Sequence, residues 1–130
     1  MRGTAAFDST QFTVTDGFVQ LSGGAGTNWS DMSGAFGATA NNGYFLTAAS
    51  TPTLPAAPGQ GAIVQFVCDT GATVTVTANA GQRIEIGAVL SAIAGTAVSN
   101  TQGNALTLIF RNATSTWHAI DAPQGTWVVT

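Results

Sequence analysis

Apolar and polar positions alternate along most of this chain with a period of two, in short runs separated by glycine, asparagine and aspartate. Val74-Thr75-Val76-Thr77 and Ala105-Leu106-Thr107-Leu108 are the plainest cases. A period of two places successive side chains on opposite faces of a strand, so one face of each run can be buried while the other meets solvent. The pattern predicts strands over 12–15, 18–21, 36–40, 43–47, 62–68, 72–77, 83–86, 105–111, 116–121 and 126–129. Asp16-Gly17 suits a two-residue hairpin turn between the first two. Asn41-Asn42-Gly43, Asp69-Thr70-Gly71 and Asn112-Ala113-Thr114-Ser115 supply the turn residues between later pairs.

Two stretches break the alternation. Residues 22–28, opening with Ser22-Gly23-Gly24-Ala25-Gly26, read as a flexible connector. Residues 51–61 carry three of the four prolines and read as a loop, with Pro52 and Pro55 disfavouring a central strand. The one helical candidate is a turn or two over 89–94. Short strands at roughly ten-residue spacing imply an all-β antiparallel sandwich or barrel-like head. Residues 1–27 are expected to form an N-terminal hairpin and linker and 28–130 the globular head; the hairpin alone is too small to bury a core.

Charge then changes the picture. The 130 residues hold three arginines, no lysine and six acidic residues, 7 % of the chain, where an ordinary soluble domain carries about 25 %. A monomer of this mass exposes roughly 6,400 Å². Each charged group would therefore have to keep several hundred square ångströms of β surface in water, far more than soluble domains ask of a charge. Covering that surface with copies of the same chain removes the difficulty, and a homo-oligomer is the expectation. No run approaches the 18 uninterrupted apolar residues of a spanning helix. The aromatics do not recur at the fixed spacing of barrel girdles, so membrane insertion is not expected. The N-terminus lacks the apolar core of a signal peptide. A net charge of −3 leaves three arginines to face any phosphate track, which argues against nucleic acid.

The ordered set of short motifs carries a resemblance. Phe7-Asp8-Ser9-Thr10-Gln11-Phe12-Thr13-Val14 leads into Gly17-Phe18-Val19-Gln20-Leu21. Trp29, Asn42-Gly43-Tyr44, Thr53-Leu54-Pro55, Gly59-Gln60-Gly61, Asn79-Ala80-Gly81-Gln82, Gly87, the 106–111 run, Trp117 and Gly125-Thr126-Trp127 come after it. From about residue 5 to the end this resembles the C-terminal head domain of tailed-phage tail fibres and related virion spikes, with Gln60-Gly61 standing where such domains usually have Gly-Asp. The resemblance implies an intertwined homotrimer on a virion, joined to an upstream fibre shaft, that contacts a host-surface glycan or protein receptor without catalysis. A trimeric capsid decoration protein is the alternative of another class, suited by the initial Met.

Candidate chemistry is sparse. Trp29, Tyr44, Trp117 and Trp127 are the aromatics with a polar handle, and sugars stack on such rings beside planar amides. Tyr44, Trp117, Asn79 and Gln82 are the candidate ligand-binding residues on this reasoning. Residues 50–61, 79–82 and 96–103 are the candidate recognition loops. Asp69-Thr70-Gly71 after an apolar run resembles the active-site turn of retroviral-type aspartic proteases, where two such carboxylates share a proton. No flap segment is evident, and Ile86-Gly87-Ala88, the nearest counterpart of the usual apolar-Gly-Arg segment, lacks the arginine, so the remaining expectation is a turn. His118 has no second ligand at zinc spacing; three copies on a threefold axis could hold an ion, but alternation lets only one of Trp117 and His118 face that axis. No metal or cofactor is expected, and Cys68, inside an apolar run, is expected to be a buried, inert thiol. Light scattering checks the oligomer directly: a multiple of 13.1 kDa is the expected mass, and a monodisperse monomer at high concentration contradicts the argument.

Overall fold

The computed structural model describes the backbones of Phe12–Thr15 and Phe18–Leu21, and residues 27–130 in full. Phe12–Thr15 (β1) and Phe18–Leu21 (β2) pair antiparallel with Thr15 opposite Phe18, the register of a two-residue connection. Asp16-Gly17, residues 22–26 of the expected connector and the motif ahead of Phe12 lie outside the described residues; Asn28, at the connector's end, already lies in a strand.

The remaining strands are Asn28–Gly37 (β3), Asn42–Thr53 (β4), Ile63–Cys68 (β5), Val74–Thr77 (β6), Arg83–Ile86 (β7), Val89–Leu90 (β8), Thr96–Ser99 (β9), Ala105–Arg111 (β10), Thr116–Ala119 (β11) and Val128–Val129 (β12). Among the described residues there is no α-helix, only a single 3-10 turn at Asn112–Thr114. The strands form one sheet in the order β12-β9-β6-β4-β5-β10-β11-β7-β8, with β3 added against β4. The sheet is all-β and nearly closed into a barrel, as the alternation implied.

The registers show how one sheet makes two layers. Residues 42–46 of β4 pair with β5, whereas Ser50 and Thr53 of the same strand pair with β6. β3 runs beside β4 along both halves, with a register shift between Met32 and Gly34. β10 pairs with β5 and β9 with β6. β3 and β4 therefore cross from one layer to the other. The 69–73 and 100–104 connections turn the same corner, cross-tied by Gly103 N–H to Cys68 O (2.8 Å) and Asp69 N–H to Leu46 O (2.9 Å).

The expectation of an antiparallel sheet is corrected. β3–β4, β4–β5, β4–β6 and β7–β11 are parallel, and the sheet is mixed. Parallel neighbours normally need a long crossover. Here the other layer serves as the crossover, because the chain leaves one layer at a corner and returns from the other. For the same reason Asp69-Thr70-Gly71 is a corner between layers: β5 and β6 do not pair with each other.

Burial alternates in-out through β5, β6, β9 and β10, as the sequence implied for β6 and β10. Tyr44, Leu46, Val64, Phe66, Cys68, Leu106, Leu108 and Phe110 line one inner face, and Val74, Val76 and Ala97 the other. Three local expectations fail. Pro52 lies inside β4 and is fully buried; the pairing of β4 with β6 skips it, so the missing donor costs one rung and the strand continues. The 89–94 stretch is not helical: Gly87-Ala88 closes a β7–β8 hairpin with Ile86 opposite Val89. The loops expected at 50–61 and 96–103 each begin with a strand, β4 to Thr53 and β9 to Ser99.

The C-terminal segment is locked by Asn104 and Trp127. Asn104 Nδ2 donates to Ser99 Oγ (2.8 Å) and Thr126 O (3.2 Å). Trp127 Nε1 donates to Ala105 O (3.2 Å) and Gln124 O (3.3 Å). Gly125 adopts φ +71°, and a Cβ there would fall 1.8 Å from Asn104 Oδ1, so it meets both a backbone and a packing constraint. Gly125→Ala is expected to destabilise the fold by about 2 kcal/mol in a denaturant titration, and an unchanged midpoint would show that the segment is not tied down as described.

Candidate functional site

Three of the four candidate ligand residues come together, but inside the protein. Trp117, on β11, is fully buried and Gln82 nearly so. Trp117 Nε1 donates to Gln82 Oε1 (2.9 Å). Gln82 Nε2 donates to Pro55 O (2.8 Å) and Ala56 O (3.2 Å). Asn79 N–H donates to Gln82 Oε1 (3.3 Å), and Asn79 Nδ2 donates to Leu54 O (3.1 Å). The amide thus uses both ends, satisfying a buried indole N–H on one side and backbone carbonyls on the other. Tyr44 sits apart on β4, buried, its hydroxyl accepting from Thr39 N–H (2.7 Å) and its ring stacked on Phe66. A ring with no free face cannot stack on a sugar. Assignment of Tyr44, Trp117 and Gln82 to ligand contact is therefore corrected: they hold loops to the core. Half-buried Asn79 shares that task.

The other candidates occupy less closely tied positions. Cys68 is buried, as expected, and burial pushes its thiol up, opposed in lesser degree by a hydrogen bond with Ser99. Asp69 is exposed at its corner and accepts from Gln102 Nε2 (3.2 Å), while Thr70 Oγ1 caps Ala72 N–H (3.1 Å). That is the geometry of a turn on the surface. His118 and Trp117 fall on opposite faces, as alternation requires; His118 is partly exposed with Nδ1 3.8 Å from Glu85 Oε2. Its Nε2 is buried without a hydrogen-bond partner. Among the described residues no group of three potential metal ligands is gathered.

What the fold presents outward is a set of cross-tied loops at the end opposite the corners. Asn112 N–H donates to Gln60 Oε1 (2.8 Å). Gly61 N–H reaches Phe110 O (2.9 Å), Asn41 N–H reaches Ile63 O (2.6 Å) and Arg83 N–H reaches Ser115 O (3.1 Å). Together with Gln82 on Pro55 and Ala56, these bonds gather the 38–41, 54–62, 79–82 and 112–115 connections. Exposed Thr39, Asn41, Gln60, Arg111, Asn112 and Thr114 project from this end. The sequence marked 51–61 and 79–82 as loops; it could not show that 38–41 and 112–115 join them at this end. A shallow depression of about 200 Å³ beside β10, lined by Thr107, Asp121 and Gln124 among others, is below the size of ordinary small-molecule sites.

Of the large polar-tipped aromatics only Trp29 is presented to solvent, at 41 % exposure. It lies flat on Gly43, where a Cβ would meet its ring at 2.5 Å, and 4.8 Å from the ring of Phe45.

Set against known proteins, the chain matches no family model, and no curated protein is significantly similar to it. No helix among the described residues is long and apolar enough to cross a membrane.

Gln82→Leu is expected to cost about 2 kcal/mol, since it strands the indole N–H of Trp117 in the core; retention of full stability would mean the network is not needed to hold the loops. Cys68 in the native protein is expected to react with an aromatic disulfide only as fast as the protein opens, and rapid labelling without unfolding would contradict its burial.

Proposed function

We propose that this chain is the distal head of a phage tail fibre, a non-enzymatic virion domain that works as a homotrimer and contacts a host-surface receptor, with carbohydrate the receptor class. The observation that carries the reading is the ordered motif set from Trp29 to Trp127, laid on a two-layered β scaffold whose loops collect at one end. Gly59-Gln60-Gly61, Asn79-Ala80-Gly81-Gln82 and Trp117 belong to the hydrogen bonds that gather those loops. A rigid β body with exposed polar loops at one end suits recognition without chemistry. On this reading the receptor meets the 38–41, 54–62, 79–82 and 112–115 end through exposed Asn, Gln and Thr side chains. The scarcity of charge fits a neutral ligand and a self-assembling subunit.

The test is an exchange of residues 28–130 between phages of different host range, then grafts of only 56–60 and 112–115. Adsorption is expected to track the exchanged head, and in part the grafted loops. Unchanged adsorption with altered heat stability of the particle would replace this reading with the capsid-decoration one.

A further inference from the structure

β3 is an open edge with unusual composition. It is ten residues long and, among the described residues, pairs only with β4. Natural edge strands are commonly blunted by lysine, proline or shortness. β3 has no lysine or proline and one ionisable residue, Asp31, and its only irregularity is the shift between Met32 and Gly34. Eight of its ten residues are exposed, and beside it Trp29 and Phe45 form an aromatic pair, 41 % and 39 % exposed.

The sheet ends elsewhere in a second rim made of two short, apolar strands. Among the described residues β8 pairs only with β7, and β12 only with β9. Val89 (53 % exposed), Leu90 (46 %), Ile93 (59 %) and Val128 (56 %) lie on these two strands or in the turn after β8. Residues 87–100 and 122–130 contain no ionisable side chain at all.

From these two rims we infer that copies of this chain join head to tail, the β3 edge of one copy pairing with the β8 and β12 rim of the next, and that the ring closes on itself. The occupant is a second copy for three reasons. An unpaired strand edge is satisfied by another strand edge, and every copy brings one of each kind. Neither rim carries the charge with which a foreign partner would be selected. Symmetric pairing of β3 with β3 would leave Val89, Leu90, Ile93 and Val128 in water, whereas unlike pairing covers both rims. Contacts between unlike surfaces generate closed rings when the rotation permits. Two interfaces of about 800 Å² each would cover about a fifth of the 7408 Å² surface of the chain, which eases the shortage of charge. The inference rests on the self-assembling head proposed above and names the surface through which it assembles.

Lysine placed on either rim blocks that rim alone. Trp29→Lys and, as a milder substitution at an exposed position, Ala35→Lys block the first; Val89→Lys and Ile93→Lys block the second. Folding is checked by thermal melts, and mass by sedimentation velocity at a concentration where the unmodified protein is fully assembled. The expected result is that each class is a folded monomer, and that an equimolar mixture of the two classes forms a two-subunit species and nothing larger. Loss of assembly in the β3 variants alone would mean β3–β3 pairing and overturn the inference. Assembly unaffected by either class would overturn it too while leaving self-assembly standing, including the case in which the β3 variants lose only glycan binding. An unmodified protein that is monomeric would overturn both this inference and the homotrimer of the proposed function.

Discussion

The architecture depends on β4 being paired on both sides in each of its two halves while belonging to two layers. Residues 42–46 lie between β3 and β5, and 50–53 between β3 and β6. A strand that changes layers in mid-course fixes where the corner must be, and its neighbours have to turn there as well. β5 and β6 do so through Asp69-Thr70-Gly71, and β9 and β10 through the 100–104 connection. The core forms between the two halves because inward positions of each layer face the other. Pro52 belongs to this arrangement: its ring fills the core and the absent donor removes a single bond from a strand tied elsewhere.

Closure of the far end is polar. The returning connections have no strand neighbours to satisfy their backbone groups, and buried carbonyls left without donors would be costly. Gln82 meets that requirement with one side chain, accepting from Trp117 and donating to Pro55 and Ala56. The same residues belong to the motif set on which the proposed fibre-head reading rests. Much of what looks like a recognition signature in the sequence is thus a set of fold-making residues, and receptor contact on the proposed reading passes to the exposed side chains that these bonds hold in place.

Strands with strong alternation were legible because that signal is local: 83–86 and 105–111 read directly as β7 and β10. β3 and β9 were harder. β3 has few buried side chains, so it has little alternation to read. β9, with Thr96, Ala97, Val98 and Ser99, carries too weak a contrast to separate from its flanking turns. Among the candidate site residues, the sequence pointed to Tyr44, Trp117, Asn79 and Gln82 as ligand contacts, whereas Trp117, Gln82 and Asn79 bond to one another and Tyr44 lies apart, buried. An indole beside an amide has the same composition whether the pair greets a sugar or closes a core.

Relations between residues one and two positions apart were enough to establish the all-β character and the inward face of strongly alternating strands such as β6 and β10. They also established the burial of Cys68 and the opposition of Trp117 and His118. Tertiary structure alone decided which strands pair, that four of the pairings are parallel, that β3 and β4 serve two layers, and which aromatic stays outside. Those outcomes depend on contacts between segments far apart in the chain. An alternating strand satisfies the same local pattern beside any partner, so only the assembled sheet selects one.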